Sequence, residues 1–100
     1  FCARYGGDEF VIIYNGMSAE EVCERAEKLR QDVMALHIER RYAEGSFGVT
    51  ISQGICHDIP SNGNKNGDFL HVADQALYRV KRRGRNRLCM TDIHGREIEV

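Results

Sequence analysis

Two glycines and two carboxylates, Gly6-Gly7-Asp8-Glu9, break a largely apolar stretch that runs from Phe1 to Tyr14, and this break constrains how the chain can begin to fold. Phe1 to Tyr5 and Phe10 to Tyr14 are rich in side chains that suit strands, so a tight glycine turn between them predicts a β-hairpin. Gly6 and Gly7 carry no Cβ and reach positive φ without strain, which also lets a ligand approach the backbone at the hairpin tip. Asp8 and Glu9 then stand at the start of the outgoing strand. Hard carboxylate oxygens there suit a cation such as Mg²⁺, held between the protein and substrate phosphates. An ordinary acidic turn is the alternative that turn chemistry alone leaves open.

The rest of the chain alternates helical and strand patterns. Asn15-Gly16 closes the second strand, and Ser18 with Glu21 forms a capping box, with Met17 and Val22 placed as a hydrophobic staple. Val22, Ala26, Leu29, Val33 and Leu36 make one apolar stripe, which predicts a helix packed on a sheet. Ala43 to Ser46 predicts a turn, followed by a strand from about Gly48 to Cys56 in which Gly54 marks a bulge or a close backbone approach. Asp58 to Gly67 predicts a surface loop. A second helix is predicted from Asn66 or Asp68 to Arg82, with Phe69, Leu70, Ala73, Ala76, Leu77 and Val80 inward and Gly84 as its C′ stop. Asn86 to Thr91 predicts a last strand, with a polar tail over about 91–100. The order β-β-α-β-α-β predicts an α+β fold with a mainly antiparallel sheet and packed helices.

Composition narrows the function classes. One hundred residues, 42% hydrophobic and 29% charged, predict one small globular domain. A net charge of -1 gives no global attraction to nucleic acid or to an anionic membrane, so anion binding has to come from local clusters. The run Phe10 to Tyr14 is too short to span a bilayer, and the chain opens on a strand rather than on a signal peptide. Cys2, Cys23, Cys56 and Cys89 lack C-x-x-C spacing, which favours reduced and mostly buried thiols over a disulfide framework or zinc site. His37, His57, His71 and His94 form no paired motif and are expected in surface or packing roles.

Arg4-Tyr5-Gly6-Gly7-Asp8-Glu9-Phe10, followed later by Ala73-Asp74-Gln75-Ala76-Leu77-Tyr78-Arg79-Val80-Lys81-Arg82-Arg83-Gly84-Arg85-Asn86-Arg87, resembles the GGDEF family of diguanylate cyclases. The resemblance covers roughly Phe1 to Leu88. It implies a nucleotidyl cyclase-like GGDEF fold of ferredoxin-like, palm-type architecture. It further implies that the N-terminal βαα portion is missing, so that residues 1–100 form a single partial GGDEF domain. That portion carries a metal-binding Asp, the residues that read guanine and the R-x-x-D inhibitory motif. Loss of a central strand leaves apolar faces and strand edges open, so the chain alone is expected to be poorly stable unless it self-associates.

The chemistry the resemblance implies is condensation of two GTP into cyclic di-GMP with release of pyrophosphate. Gly6 and Gly7 would let the backbone approach GTP, Asp8 would ligate Mg²⁺ (or Mn²⁺) and act as base, and Glu9 would support the metal. Lys81 and Arg85 match the positions at which the family places cations on the nucleotide phosphates. Arg82, Arg83 and Arg87 are instead expected as solvated cations opposing the helix dipole, and Phe10 as an inward-packing residue. A homodimer is implied, because each domain holds one GTP. An upstream sensory domain is implied as well, with cytoplasmic localisation and membrane anchoring of the parent left open. The isolated chain is expected to be inactive because it is truncated. The competing reading is a non-catalytic regulatory module that binds GTP or cyclic di-GMP, against which the intact Asp8-Glu9 pair argues. Nucleic-acid binding through Arg79 to Arg87 is disfavoured by the lack of interleaved stacking aromatics.

Overall fold

The computed structural model describes residues 2–6, 9–12, 16–39, 46–59 and 66–99. The elements are β1 (Cys2–Gly6), β2 (Glu9–Ile12), α1 (Ala19–Met34), β3 (His37–Glu39), β4 (Ser46–Gly48), β5 (Gln53–Cys56), α2 (Asn66–Arg82) and β6 (Leu88–Thr91). Strands β1 and β2 pair antiparallel with Cys2 opposite Ile12, Ala3 opposite Val11 and Arg4 opposite Phe10. The register shifts between Arg4 and Gly6, so Tyr5 is the extra residue of a bulge and Gly6 meets Glu9.

Two of the three pairings, β1 with β2 and β3 with β4, are antiparallel, whereas β5 and β6 pair parallel. Parallel neighbours need a crossover, and α2 supplies it. The continuous strand expected from Gly48 to Cys56 is divided. β4 ends at Gly48, residues 49–52 are irregular, and β5 begins at Gln53, because the two halves serve different partners, β3 and β6. The last strand starts at Leu88 rather than Asn86, since Asn86 sits at φ 48°, outside the extended region. The turn expected at 43–45, residues 13–14 of the expected second strand and 60–65 of the expected loop lie outside the described residues.

The core lies where α2 crosses β5 and β6. Val72, Ala76 and Val80 recur at four-residue spacing on α2 and are buried with Cys89 and Met90 of β6. Val72 belongs to this face although the apolar pattern did not select it. Gly54 is the point of closest approach. A Cβ built on it would stand 2.1 Å from the Leu77 backbone nitrogen and 2.3 Å from the Ala73 carbonyl oxygen, so only glycine lets the helix sit down on the strand.

Helix α1 starts as its capping box predicts. The Ser18 hydroxyl accepts the Glu21 amide at 3.1 Å, while the Glu21 carboxylate accepts the Ser18 amide. Its stripe is covered only in the first half. Val22 and Ala26 are buried, and the Gln53 side-chain amide donates to the Ala26 carbonyl at 2.8 Å, but Leu29 and Leu36 remain exposed. The expected packing of the whole stripe is therefore corrected to its first half, with Leu29 and Leu36 left at the surface.

The polar C-terminal segment is folded back onto the domain. The Asp92 carboxylate accepts the amides of His94 and Arg96, the Ile98 amide donates to Met90 O, and Thr91 bridges Glu97. Arg79 and Arg83 of the helix end both reach Glu97. The Thr91 hydroxyl, 1% exposed, has no hydrogen-bond partner among the described residues. Cys23, Cys56 and Cys89 are free thiols; of these three only Cys89 is buried, and Cys23 and Cys56 are half-buried. Burial, with Asp58 and Asp92 nearby, pushes the Cys56 thiol up to about 11.

Candidate functional site

The sequence motif falls at a hairpin tip. Gly6 is the last residue of β1, Glu9 the first of β2, and their pairing leaves two residues between the strands, the length of a tight β-hairpin loop. Those two, Gly7 and Asp8, lie outside the described residues, and Glu9 is described by its backbone alone. The donor set is chemically suited to a hard cation, since adjacent carboxylates offer oxygen ligands and leave positions for phosphate and water. Among the described residues no group of three or more His, Cys, Asp or Glu side chains could hold a metal ion.

The expected phosphate cations, Lys81 and Arg85, lie at and just beyond the C-terminal end of α2, and both are exposed. The helix ends in a Schellman geometry. Gly84 takes φ 111°, the Arg85 amide donates back to Val80 O at 3.0 Å, and Arg83 N bonds Arg79 O and Val80 O. The C′ role expected for Gly84 is thus met. The chain stays left-handed beyond the glycine, with Arg85 at φ 64° and Asn86 at φ 48°, conformations that cost a residue with a Cβ. Of the neighbouring arginines, Arg82 lies over the Tyr78 ring at 5.7 Å, Arg83 pairs with Glu97, and Arg87 donates to the Arg85 carbonyl.

The left-handed turn is held from outside. The Asn86 amide donates to Ser52 Oγ at 3.1 Å, and Arg30 of α1 donates from Nη1 to Asn86 Oδ1 at 3.0 Å and to its carbonyl at 3.4 Å. Nε and Nη2 of the same guanidinium are taken up by Glu27, whose carboxyl is held below its ordinary value by that pairing. The sequence reading did not select Arg30, Ser52 or Asn86. The one signal available was the non-glycine pair that follows Gly84.

The mixed α/β fold, with an open sheet packed against helices, is that of solved GGDEF domains. The family profile described as "Diguanylate cyclase, GGDEF domain" matches residues 1–87, and the chain belongs to this family. It is 36% identical over 90 residues to the uncharacterised protein YhcK of Bacillus subtilis, covering 90% of this chain and 24% of that protein. A diguanylate cyclase of Vibrio cholerae is 33% identical over 96 residues, covering 90% of this chain and 26% of that protein. The solved GGDEF domain of DgcB from Caulobacter crescentus in complex with c-di-GMP matches with a TM-score of 0.80 at 34% identity. That match covers 93% of this chain and 51% of the solved one. The chain thus spans about a quarter of the length of these curated relatives and about half of the solved domain. Among the described residues, no helix is long and apolar enough to cross a membrane.

Proposed function

We propose that this chain supplies the signature hairpin and the phosphate cations of a diguanylate cyclase, which joins two GTP into cyclic di-GMP. The observation that carries this reading is the pairing of Gly6 with Glu9 across β1 and β2, which leaves only Gly7 and Asp8 between the two strands. In each half-reaction a ribose 3′-oxygen attacks the α-phosphorus of the other nucleotide. The new P–O bond forms as the bond to pyrophosphate breaks, and the hydroxyl proton passes to a base. Asp8 is that base, and Asp8 and Glu9 are the carboxylates that would hold Mg²⁺ or Mn²⁺. A divalent cation bound there neutralises phosphate charge and makes the attacking hydroxyl more acidic. Gly6 and Gly7 leave room for the triphosphate against the backbone. Lys81 contributes a point charge and Arg85 a planar fork to the phosphate oxygens. Two such domains must face each other, so the active form is a homodimer, in a protein whose remaining segments sense the signal.

The test is incubation of the full-length protein with GTP and Mg²⁺, measuring cyclic di-GMP and pyrophosphate. Product that disappears in Asp8→Ala with folding intact is the expected result. Unchanged turnover in that variant overturns the assignment, and nucleotide binding without product at any concentration favours a regulatory module instead. The isolated 100 residues are expected to show no appreciable synthesis.

A further inference from the structure

Three consecutive residues, Gly84, Arg85 and Asn86, have φ of 111°, 64° and 48°. Glycine takes such angles freely, but the two residues that follow pay roughly 1–2 kcal/mol each in left-handed backbone and keep it only if their surroundings impose it. Three contacts impose it here, and they come from three different elements. The Arg85 amide closes onto Val80 O of α2, the Asn86 amide onto Ser52 Oγ ahead of β5, and the Asn86 carbonyl and carboxamide oxygens onto Arg30 of α1. The other face of the carboxamide donates to Met34 Sδ at 3.4 Å, also on α1.

We infer that Arg30 is a positioning residue for Arg85, gripping Asn86 from α1 so that the adjacent guanidinium is presented in one backbone conformation to the nucleotide phosphates; the inference rests on the phosphate role proposed above for Arg85. The geometry requires an arginine. Nε and Nη2 are fixed on Glu27 while Nη1 is left to bridge both Asn86 oxygens, a division of labour that a lysine ammonium cannot reproduce. Glu27 is itself steadied by the Gln31 side chain at 3.2 Å. The Arg30 and Glu27 side chains are 17% and 40% exposed, whereas the Lys28–Asp32 pair on the same helix is 76% and 61% exposed, so solvent screens the Arg30 pair less.

Amide hydrogen exchange and Mg–GTP affinity in the intact protein test this together. Arg30→Gln is expected to speed exchange at Arg85 and Asn86 by about tenfold or more, through loss of the charge-assisted hydrogen bonds to both Asn86 oxygens, with the Met90 amide unchanged. Mg–GTP affinity should fall by a similar factor in Arg30→Gln, fall equally in Arg30→Lys, and fall no further when Arg30→Gln is added to Arg85→Ala. Asn86→Gly keeps the backbone permissive while removing the carboxamide, and should reduce the effect of Arg30→Gln to what the bond to the backbone carbonyl supplies. Unchanged exchange at Asn86 in Arg30→Gln, or full additivity with Arg85→Ala, overturns the inference. If Arg85→Ala alone leaves Mg–GTP affinity intact, the phosphate reading fails instead, and the exchange data show separately whether Arg30 holds the turn.

Discussion

The β1–β2 hairpin and the β5–α2–β6 unit each carry one half of the proposed site, yet they are specified in different ways. In the hairpin, a local event, the pairing of Gly6 with Glu9, fixes the length of the connection between the strands. In the β5–α2–β6 unit, Lys81 and Arg85 are placed by long-range fits: α2 against Gly54, Val80 in the core, and the helix-end turn against Ser52 and Arg30. Carboxylates that hold a hard cation can be delivered by a short loop, because the ion and phosphate complete the geometry. Cations that meet a phosphate from the protein side need a scaffold that fixes the backbone before the ligand arrives.

The contrast can be broken most forcefully at Gly54. Gly54→Val forces a side chain into the Ala73 and Leu77 backbone and should cost about 3 kcal/mol or more, read as a large fall in the thermal unfolding midpoint. If the midpoint is unchanged, the β5–α2–β6 unit is not held as described. Arg85→Gly sharpens the comparison by separating backbone from side chain. It removes a left-handed residue with a Cβ, so stability should hold or rise by up to about 1 kcal/mol, while Mg–GTP affinity falls roughly tenfold with loss of the phosphate cation. Equal losses in both quantities would assign Arg85 to the fold alone.

Smaller effects are expected at the edge of the core. Thr91→Val replaces a buried hydroxyl that has no partner among the described residues by a methyl group, and should stabilise by about 1 kcal/mol in chemical denaturation. A destabilised Thr91→Val protein would mean that the hydroxyl is satisfied after all. Asp58 gives a pH dependence. Amides of Ile93 and Ile59 bond its carboxylate and hold it below the ordinary value of 3.8, so its folded state binds a proton less readily than the unfolded chain. Its contribution is therefore complete above that value and is lost as pH falls through the lower, folded one. Asp58→Asn should lower stability most at neutral pH and converge with the parent protein below about pH 4, which flattens the acid limb of the stability profile; an acid limb of unchanged steepness would count against it.

Much of the fold was legible wherever a local rule governs it. The Ser18 capping box, the Gly84 stop and most of the inward face of α2 follow from residues within a turn or two of each other, and a glycine inside a strand pattern marked the close approach at Gly54. The division of the strand expected from Gly48 to Cys56 was not legible, because apolar alternation does not say which neighbour each half will choose. The parallel pairing of β5 with β6 and the open second half of the α1 stripe are tertiary outcomes of the same kind.

The hairpin motif, the helix-end cations and their family were determined by sequence alone, since the motif residues lie next to one another and their chemistry depends on type and spacing. Only the tertiary structure decided how the turn that carries Arg85 is held. Its anchors, Arg30 and Ser52, are 56 and 34 residues from Asn86 in the chain, and no local pattern couples a helix-surface arginine to a left-handed turn until packing brings them within hydrogen-bond distance.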